Sequence, residues 1–286
     1  MPQRITGHTQ LIGLIATPIR HSKSPMMHNT AFEALGLDYA YLAFDFPPEG
    51  LADAVKGLKA LGVRGWNVSM PYKTDIIPLL DEISEASRLC QSVNTVINDN
   101  GRLYGTVTDG TGYMRSLSER GFDIRGKKIT VLGCGGAATT ICIQAALDGV
   151  KEISIFNAGD AFFHRAEENA AKINANTGCV AHAYPLEDTE RLRAEIAGSA
   201  LLANATSVGM GKLEGVSLIT DPTMLRPGLI CTDVIYSPEE SAFLKLAREN
   251  GCHTMNGLGM LLYQGAESFR LWTGMEMPID AVKAVL

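Results

Sequence analysis

The 286-residue chain reads as an α/β protein built from two consecutive strand–helix series. Three observations predict this. Short β-branched runs alternate with helical stretches from end to end, the pattern of parallel strands joined by crossover helices. Glycines close the helical stretches, as at Gly36 and Gly62. A hairpin then breaks the alternation once, which places a domain boundary near Asp109.

In the first series "LIGLIA" (from Leu11), "YAYLAFDF" (from Tyr39) and "VRGWNVS" (from Val63) read as strands. "PMMHNTAFEALG" and "GLADAVKGLKALG" between them carry apolar residues at helical spacing. This order predicts a mostly parallel sheet. "TVINDNGRLYGTVT" follows as a hairpin, with Asn100-Gly101 at its turn. The second series starts at Lys128 with the strands "KITVLG", "EISIFN", "CVAHAY", "ALLANAT" and "LICTDVIY". "ATTICIQAALDG" and "AFFHRAEENAAKINA" are among its helices. The C-terminal "MLLYQGAESFRLWTG" and "PIDAVKAVL" are helical, with no strand after them, and the pattern leaves open which domain they join.

Composition narrows the function. A chain that is 46% hydrophobic and 20% charged buries a sizeable core. A net charge of −6 and a pI near 5.6 exclude a basic nucleic-acid or anionic-membrane face. No apolar run reaches the ~20 residues of a membrane helix, and "MPQRITGHTQ" lacks the apolar centre of a signal peptide. The six cysteines are scattered without a CxxC pair, and the six histidines form no HxxxH pair. Free thiols in a cytoplasmic protein without a structural metal are the expectation.

Three constellations carry chemistry. "ITVLGCGGAATTICIQAALDG" runs from a β-branched strand through Gly133, Gly135 and Gly136 into a helix of small and apolar residues. Such a turn lets a backbone approach a pyrophosphate at a helix N-terminus. The next strand ends in "IFNAGD", so Asp160 falls where an acid receives adenosine ribose hydroxyls. "RHSKSP" sets Ser22 and Ser24 at the end of the first strand, with Pro25 opening a helix. Proline at the first helical position makes Ser24 the N-cap, and two hydroxyls at a helix N-terminus also form a carboxylate site. "SVNTVIN" and "GTVTDG" put Asn94 and Asp109 on the two arms of the hairpin, and "NVSMPYKTD" presents Lys73 where a strand gives way to a turn.

The segments "HSKSP", "NVSMPYK", "SVNTVIN", "GTVTDGTG", "GCGGAA", "NATSVGM", "DVIYSP" and "GLGMLLYQGAESFRLWTG" occur in the order found in the shikimate and quinate/shikimate dehydrogenase family, which the chain resembles from about Leu11 to Gly274. The resemblance implies a substrate-binding domain over residues 1–108, completed by C-terminal helices at 258–286 that return to it. It implies a doubly wound, Rossmann-type dinucleotide domain over 109–257. By the family's motifs Ser22 and Ser24 bind the substrate carboxylate, and Ser69, Lys73, Asn94, Asp109 and Gln264 address the ring hydroxyls. Lys73 and Asp109 would form the catalytic pair across an interdomain cleft. Gly133, Gly135, Gly136 and Ala137 would meet the pyrophosphate, with Asn157 and Asp160 at the adenosine side. Thr206, Val208, Tyr236, Gly257 and Met260 would lie around the nicotinamide. Val107, Ser69 and Asn256 depart from the usual asparagine, threonine and aspartate, and Ala158 and Gly159 stand where many members carry arginine.

The activity expected is reversible hydride transfer between a nicotinamide cofactor and a ring hydroxyl of shikimate or quinate. The missing arginines and the presence of Asp160 predict NAD as cofactor, since a carboxylate repels the 2′-phosphate of NADP. An NADP-using shikimate dehydrogenase of aromatic amino-acid biosynthesis is the alternative. A non-catalytic dinucleotide-binding regulator is the rival class, disfavoured because it has no use for Lys73 and Asp109. A homodimer is compatible with the sequence.

Overall fold

The computed structural model describes residues 5–20 and 22–286. His21, within "RHSKSP", lies outside the described residues. The chain divides into two compact units, one of residues up to Thr108 together with Gln264–Leu286, the other Asp109–Tyr263.

The first unit opens with β1 (Gln10–Ala16), α1 (Ser24–Leu35), β2 (Tyr39–Asp45), α2 (Leu51–Ala60) and β3 (Gly65–Val68). β4 (Glu82–Ile83), α3 (Glu85–Cys90), β5 (Thr95–Asp99) and β6 (Arg102–Thr106) follow. The strands form one sheet in the order β2-β1-β3-β5-β6-β4. β1 is parallel to β2 and β3, but β5 runs antiparallel to β3 and β6 antiparallel to β5. β4 is parallel to β6, so β5 alone runs against the other five strands and the sheet is mostly parallel. The hairpin turn has Asn100 at φ 52° and Gly101 at φ 91°, the left-handed pair that a two-residue connection requires. Ile15, Val55, Trp66, Val68, Tyr72, Ile76 and Val96 form a core on this sheet.

One local expectation is corrected. Ser24 is the first residue of α1 rather than its cap: the capping position is Lys23, whose side chain makes no capping bond. Pro25 shifts to the second helical position, and Ser24 N–H instead donates to Ser22 Oγ at 3.2 Å.

The second unit holds α4 (Asp109–Ser118), β7 (Lys128–Leu132), α5 (Gly136–Leu147), β8 (Glu152–Asn157), α6 (His164–Asn176) and β9 (Val180–Pro185). It continues with α7 (Thr189–Gly198), β10 (Leu201–Asn204), β11 (Ile230–Asp233), α8 (Ala242–Glu249) and β12 (His253–Met255). Its sheet has the order β12-β11-β10-β7-β8-β9 and every pairing is parallel. This is the doubly wound arrangement, whose strand order reverses between β7 and β10. α9 (Leu258–Thr273) starts in this unit and continues into the first from Gln264, and α10 (Ile279–Lys283) packs on α1. Close approach fixes the course of α9 within the first unit: a Cβ on Gly265 would lie 2.1 Å from Met27 Cε.

At the N-terminal ends of β7 and β8 an ionic cluster anchors the sheet to α7. Lys128 Nζ pairs with Glu152 at 2.6 Å and with Glu195, which also accepts from Ser154 Oγ at 2.6 Å. Burial pushes the Glu195 carboxyl up, but Lys128 and Ser154 pull it down further, to below its ordinary value of 4.5. Burial likewise lowers Lys128, and the two glutamates raise it to above 10.5. The sign for Glu195 follows from linkage. A lowered folded-state pKa contributes stability that is complete above 4.5 and is lost as pH falls through the folded value. The raised Lys128 contributes below 10.5 and loses its share as pH rises through its folded value. Lys128→Met should therefore cost about 3 kcal/mol at neutral pH by leaving Glu195 poorly compensated. Urea denaturation at pH 7 and near pH 3 should show the gap between wild type and variant shrinking in acid; a gap independent of pH would assign the loss to packing.

Candidate active site

The substrate-side residues of the first unit gather at one edge of its sheet. β1 and β3 end there, β5 begins there, and β6 ends there. Ser22 follows β1 and Ser69 follows β3, and both are half-buried. Ser69 N–H donates to Ile15 O at 3.0 Å, Val68 N–H to Asn94 O at 2.8 Å, and Asn94 N–H to Thr106 O at 3.0 Å. Val93 N–H donates to Lys73 O at 2.8 Å. These backbone bonds bring Ser69, Lys73, Asn94 and Thr106 together although they are scattered in sequence. Asp109 comes directly after Thr108, whose N–H donates to Asn94 Oδ1 at 2.9 Å.

Beneath this edge lies a buried polar layer that the sequence reading missed. The Tyr41 hydroxyl donates to Asn67 Oδ1 at 2.7 Å and is hydrogen-bonded to Ser24. Burial pushes the Tyr41 phenol well above its ordinary range, so it stays neutral. Asn67 Nδ2 reaches Asn94 O at 3.0 Å, Thr95 Oγ1 at 3.1 Å and Ser268 Oγ at 3.1 Å. Gln264, one turn before Ser268 on α9, is half-buried, and its carbonyl oxygen accepts from Ser268 Oγ at 3.1 Å. An asparagine inside the buried run "GWNV" was the available sign, because a polar side chain is kept in such a strand only where it has partners.

The residues expected to meet the cofactor lie, in the second unit, around the point where the strand order reverses. Gly133 follows β7 at φ 108°, and a Cβ there would lie 2.8 Å from Thr206 Cγ2 beyond β10. No side chain is tolerated at that approach. Gly135 is extended and caps α5 without a side-chain hydrogen bond, and no atom lies within 4 Å of a Cβ built on Gly135 or Gly136. Ala137 follows on the first turn. An uncapped helix N-terminus lined by open space fits a pyrophosphate.

The loops beyond β10 and β11 are tied to each other. Asn204 Oδ1 accepts from Thr206 Oγ1 at 2.7 Å, and Asn204 Nδ2 donates to Val208 O at 3.0 Å and to Asp233 Oδ1 at 3.1 Å. Asp233, 2% exposed, also accepts from Ser241 Oγ at 2.6 Å and from Ile235 N–H at 3.0 Å. Burial raises the Asp233 carboxyl against the pull of these donors. Gly257 N–H donates to Ile235 O at 2.9 Å, and a Cβ at Gly257 would meet Val234 O at 1.9 Å, so only glycine fits. Asn256 accepts from Leu258 N–H at 3.2 Å at the start of α9, and Met260 is half-buried on that helix. Tyr236 is 43% exposed.

At the adenosine side Asn157 ends β8 and donates to Ala158 O at 3.2 Å. Asp160 is exposed, and its Oδ1 accepts from Phe162 N–H at 2.8 Å. Gly159 N–H is held by the Glu187 carboxylate at 3.0 Å. Arg165 lies on the first turn of α6. Burial raises the Cys134 thiol in the glycine turn, with the Arg165 charge lowering it and the Asp160 charge raising it. Among the described residues no helix is long and apolar enough to cross a membrane, and no group of three His, Cys, Asp or Glu could hold a metal.

Comparison with known proteins agrees with the order of motifs. Residues 14–96 match the shikimate dehydrogenase substrate binding domain, and residues 257–286 match the shikimate 5'-dehydrogenase C-terminal domain. A shikimate dehydrogenase (NADP(+)) of Listeria monocytogenes is 58% identical over 284 residues, covering 99% of this chain and 98% of its own. One of Streptococcus uberis is 56% identical over 289 residues, covering 100% and 98%. A crystal structure of shikimate 5-dehydrogenase from Listeria monocytogenes in complex with shikimate and NAD is 58% identical over 100% of this chain and 99% of its own, at a TM-score of 0.97. The expectation of NAD as the primary cofactor is overturned by the curated relatives, which are named for NADP(+). The physical reason lies in the turn after β8: the Asp160 carboxylate is engaged with Phe162 N–H, and Arg165 follows on the first turn of α6. The chain belongs to the shikimate dehydrogenase family.

Proposed function

We propose that the protein is an NADP-dependent shikimate dehydrogenase that interconverts shikimate and its 3-dehydro acid, reducing the keto acid in aromatic amino-acid biosynthesis. The observation that carries this reading is the convergence of Ser22, Ser24, Ser69, Lys73 and Asn94 on one sheet edge, with Asp109 following Thr108. Hydroxyls and backbone donors around Ser22 and Ser24 suit the carboxylate. Ser69, Asn94 and Gln264 suit ring hydroxyls. Lys73, assisted by Asp109, accepts the hydroxyl proton as hydride leaves the ring carbon. NADP, when bound, supplies the hydride acceptor. Gly133, Gly135, Gly136 and Ala137 receive its pyrophosphate, Asn157 and Asp160 border the ribose, and Thr206, Val208, Tyr236, Gly257 and Met260 border the nicotinamide.

The direct test is absorbance at ~340 nm with purified protein, shikimate and NADP, with quinate and NAD as parallel substrates. Absence of NADP reduction with shikimate refutes the reading; efficient turnover of quinate alone replaces the substrate.

Arg165 is the group we assign to the 2′-phosphate, since it is the first arginine after β8 and lies on the first turn of α6. Arg165→Ala should weaken NADP binding, measured by calorimetry, roughly tenfold while leaving NAD binding near its original value. Equal losses for both cofactors would place the phosphate contact elsewhere.

A further inference from the structure

The turn that follows β8 is held by a carboxylate from outside it. Gly159 is exposed, and its N–H donates to Glu187 Oε2 at 3.0 Å and to Oε1 at 3.2 Å. Glu187 is itself exposed and stands in the loop between β9 and α7.

The backbone places this carboxylate. Asn157 at the end of β8 pairs with Pro185 at the end of β9, and Leu186 N–H donates to Asn157 O at 2.8 Å. Thr189 N–H donates to Glu187 O at 2.9 Å, and Asp188 caps α7 by accepting from Arg191 N–H at 3.0 Å. Glu187 thus reaches over the turn from an anchored loop: a Cβ built at Gly159 would lie 3.2 Å from Glu187 Oε2.

The location gives this contact a consequence. In a doubly wound dinucleotide domain the turn after the second strand receives the adenosine ribose, and a cation nearby accommodates a 2′-phosphate. Backbone N–H groups and cations are what hold such a phosphate. At this turn the Gly159 N–H is already taken, and its acceptor carries the same sign of charge as the phosphate. Asp160 Oδ1 takes another N–H of the turn, that of Phe162, at 2.8 Å. Two carboxylates therefore face the cation supplied by Arg165 on the first turn of α6. NAD has a neutral hydroxyl where NADP has the phosphate, so the opposition falls on NADP alone.

We propose that Glu187 is a specificity-determining residue for the cofactor: by occupying the Gly159 N–H with a carboxylate it opposes the 2′-phosphate and lowers the affinity for NADP without lowering that for NAD. The proposal rests on the reading that this turn borders the adenosine ribose of NADP, and the test separates the two.

Calorimetric titration of the full chain with NADP and with NAD is carried out on wild type, Glu187→Gln and Glu187→Ala. Glutamine removes the charge but keeps an acceptor for Gly159, so NADP should bind roughly fourfold more tightly. Alanine also frees the N–H, and the gain should reach roughly tenfold. The affinity for NAD should stay within about twofold in both variants. Raising salt from about 0.05 M to about 0.5 M should shrink the gain in Glu187→Gln, because exposed charges are screened. Unchanged NADP-to-NAD affinity ratios, equal changes for both cofactors, or a glutamine gain indifferent to salt each overturn the proposal. Equal changes would show that Glu187 only holds the turn in shape. A wild type that binds neither dinucleotide refutes the cofactor reading itself, and the proposal with it.

Discussion

Lys73→Ala is expected to lower kcat with shikimate by ~10²–10⁴, with a much smaller change in KM. The oxidation removes hydride from a ring carbon, and the hydroxyl on that carbon has to release its proton as the ketone forms. An ammonium or amine beside that oxygen stabilises the developing charge and relays the proton, an interaction made mostly in the transition state. The position is suited to that work. Lys73 is half-buried, its carbonyl is fixed by Val93 N–H at 2.8 Å, and Val93 precedes Asn94. Lys73→Arg should not restore turnover, because a guanidinium holds its proton across the working pH range. Asp109→Asn should lose kcat in the same direction. Initial rates at saturating shikimate and NADP check all three. Near wild-type turnover in Lys73→Ala would make this lysine an ordinary surface cation.

Much of this arrangement was legible in the sequence because it depends on local period. The strands around Leu14, Val131 and Ile155 are short runs rich in Ile, Leu and Val that are buried almost throughout, as parallel strands covered on both faces must be. Gly133 in the glycine turn was legible for a related reason, since its left-handed backbone and close approach to Thr206 exclude a side chain. Shorter elements were not. β4 has two residues and β12 has three, too few for an alternation to register. The antiparallel course of β5 and β6 was readable only as a hairpin. That β5 also pairs with β3, making the sheet mixed, is a matter of topology.

Polar contacts between distant segments were the least legible. The buried hydrogen bonds around Asn67 and Asn94 join residues 67, 94, 95, 108 and 268, and nothing local to Ser268 distinguishes it from a helix serine bonded to the carbonyl four residues back. Asp160 misled in the opposite way, on the choice of cofactor. Its place after β8 matched a ribose-binding acid, yet a carboxylate two residues before an open N–H also forms a turn of its own, and in the structure it does so. Sequence position gave the residue, whereas the hydrogen bond decided its orientation.

The second large effect is expected at Asp233, where alanine and asparagine should differ sharply. Asp233 collects three donors in a buried site: Ser241 Oγ, Asn204 Nδ2 and Ile235 N–H. Alanine removes all three acceptor contacts at once and opens space that water can only partly refill. At about 1–3 kcal/mol for each stranded buried donor, a loss near 4 kcal/mol is expected even if one of them finds a new partner. The loss reaches the cofactor side because Asn204 holds both Thr206 and Val208. Asparagine keeps an oxygen for Asn204 and Ile235 and turns an amide toward Ser241, whose hydroxyl can rotate to accept. It also removes a buried charge whose pKa burial has raised. A carboxyl with a raised folded-state pKa favours the fold below its ordinary value of 3.8 and works against it once pH passes the folded value. Above the folded-state value the ionised aspartate is held at a net cost, and removing that charge offsets part of what the altered hydrogen bonds lose. Asp233→Asn should accordingly stay within about 1.5 kcal/mol of wild type, with a smaller rise in the KM for NADP than Asp233→Ala. Urea denaturation and NADP kinetics on both variants provide the check. Equal destabilisation by the two substitutions would mean that the negative charge itself, rather than the three hydrogen bonds, holds these loops.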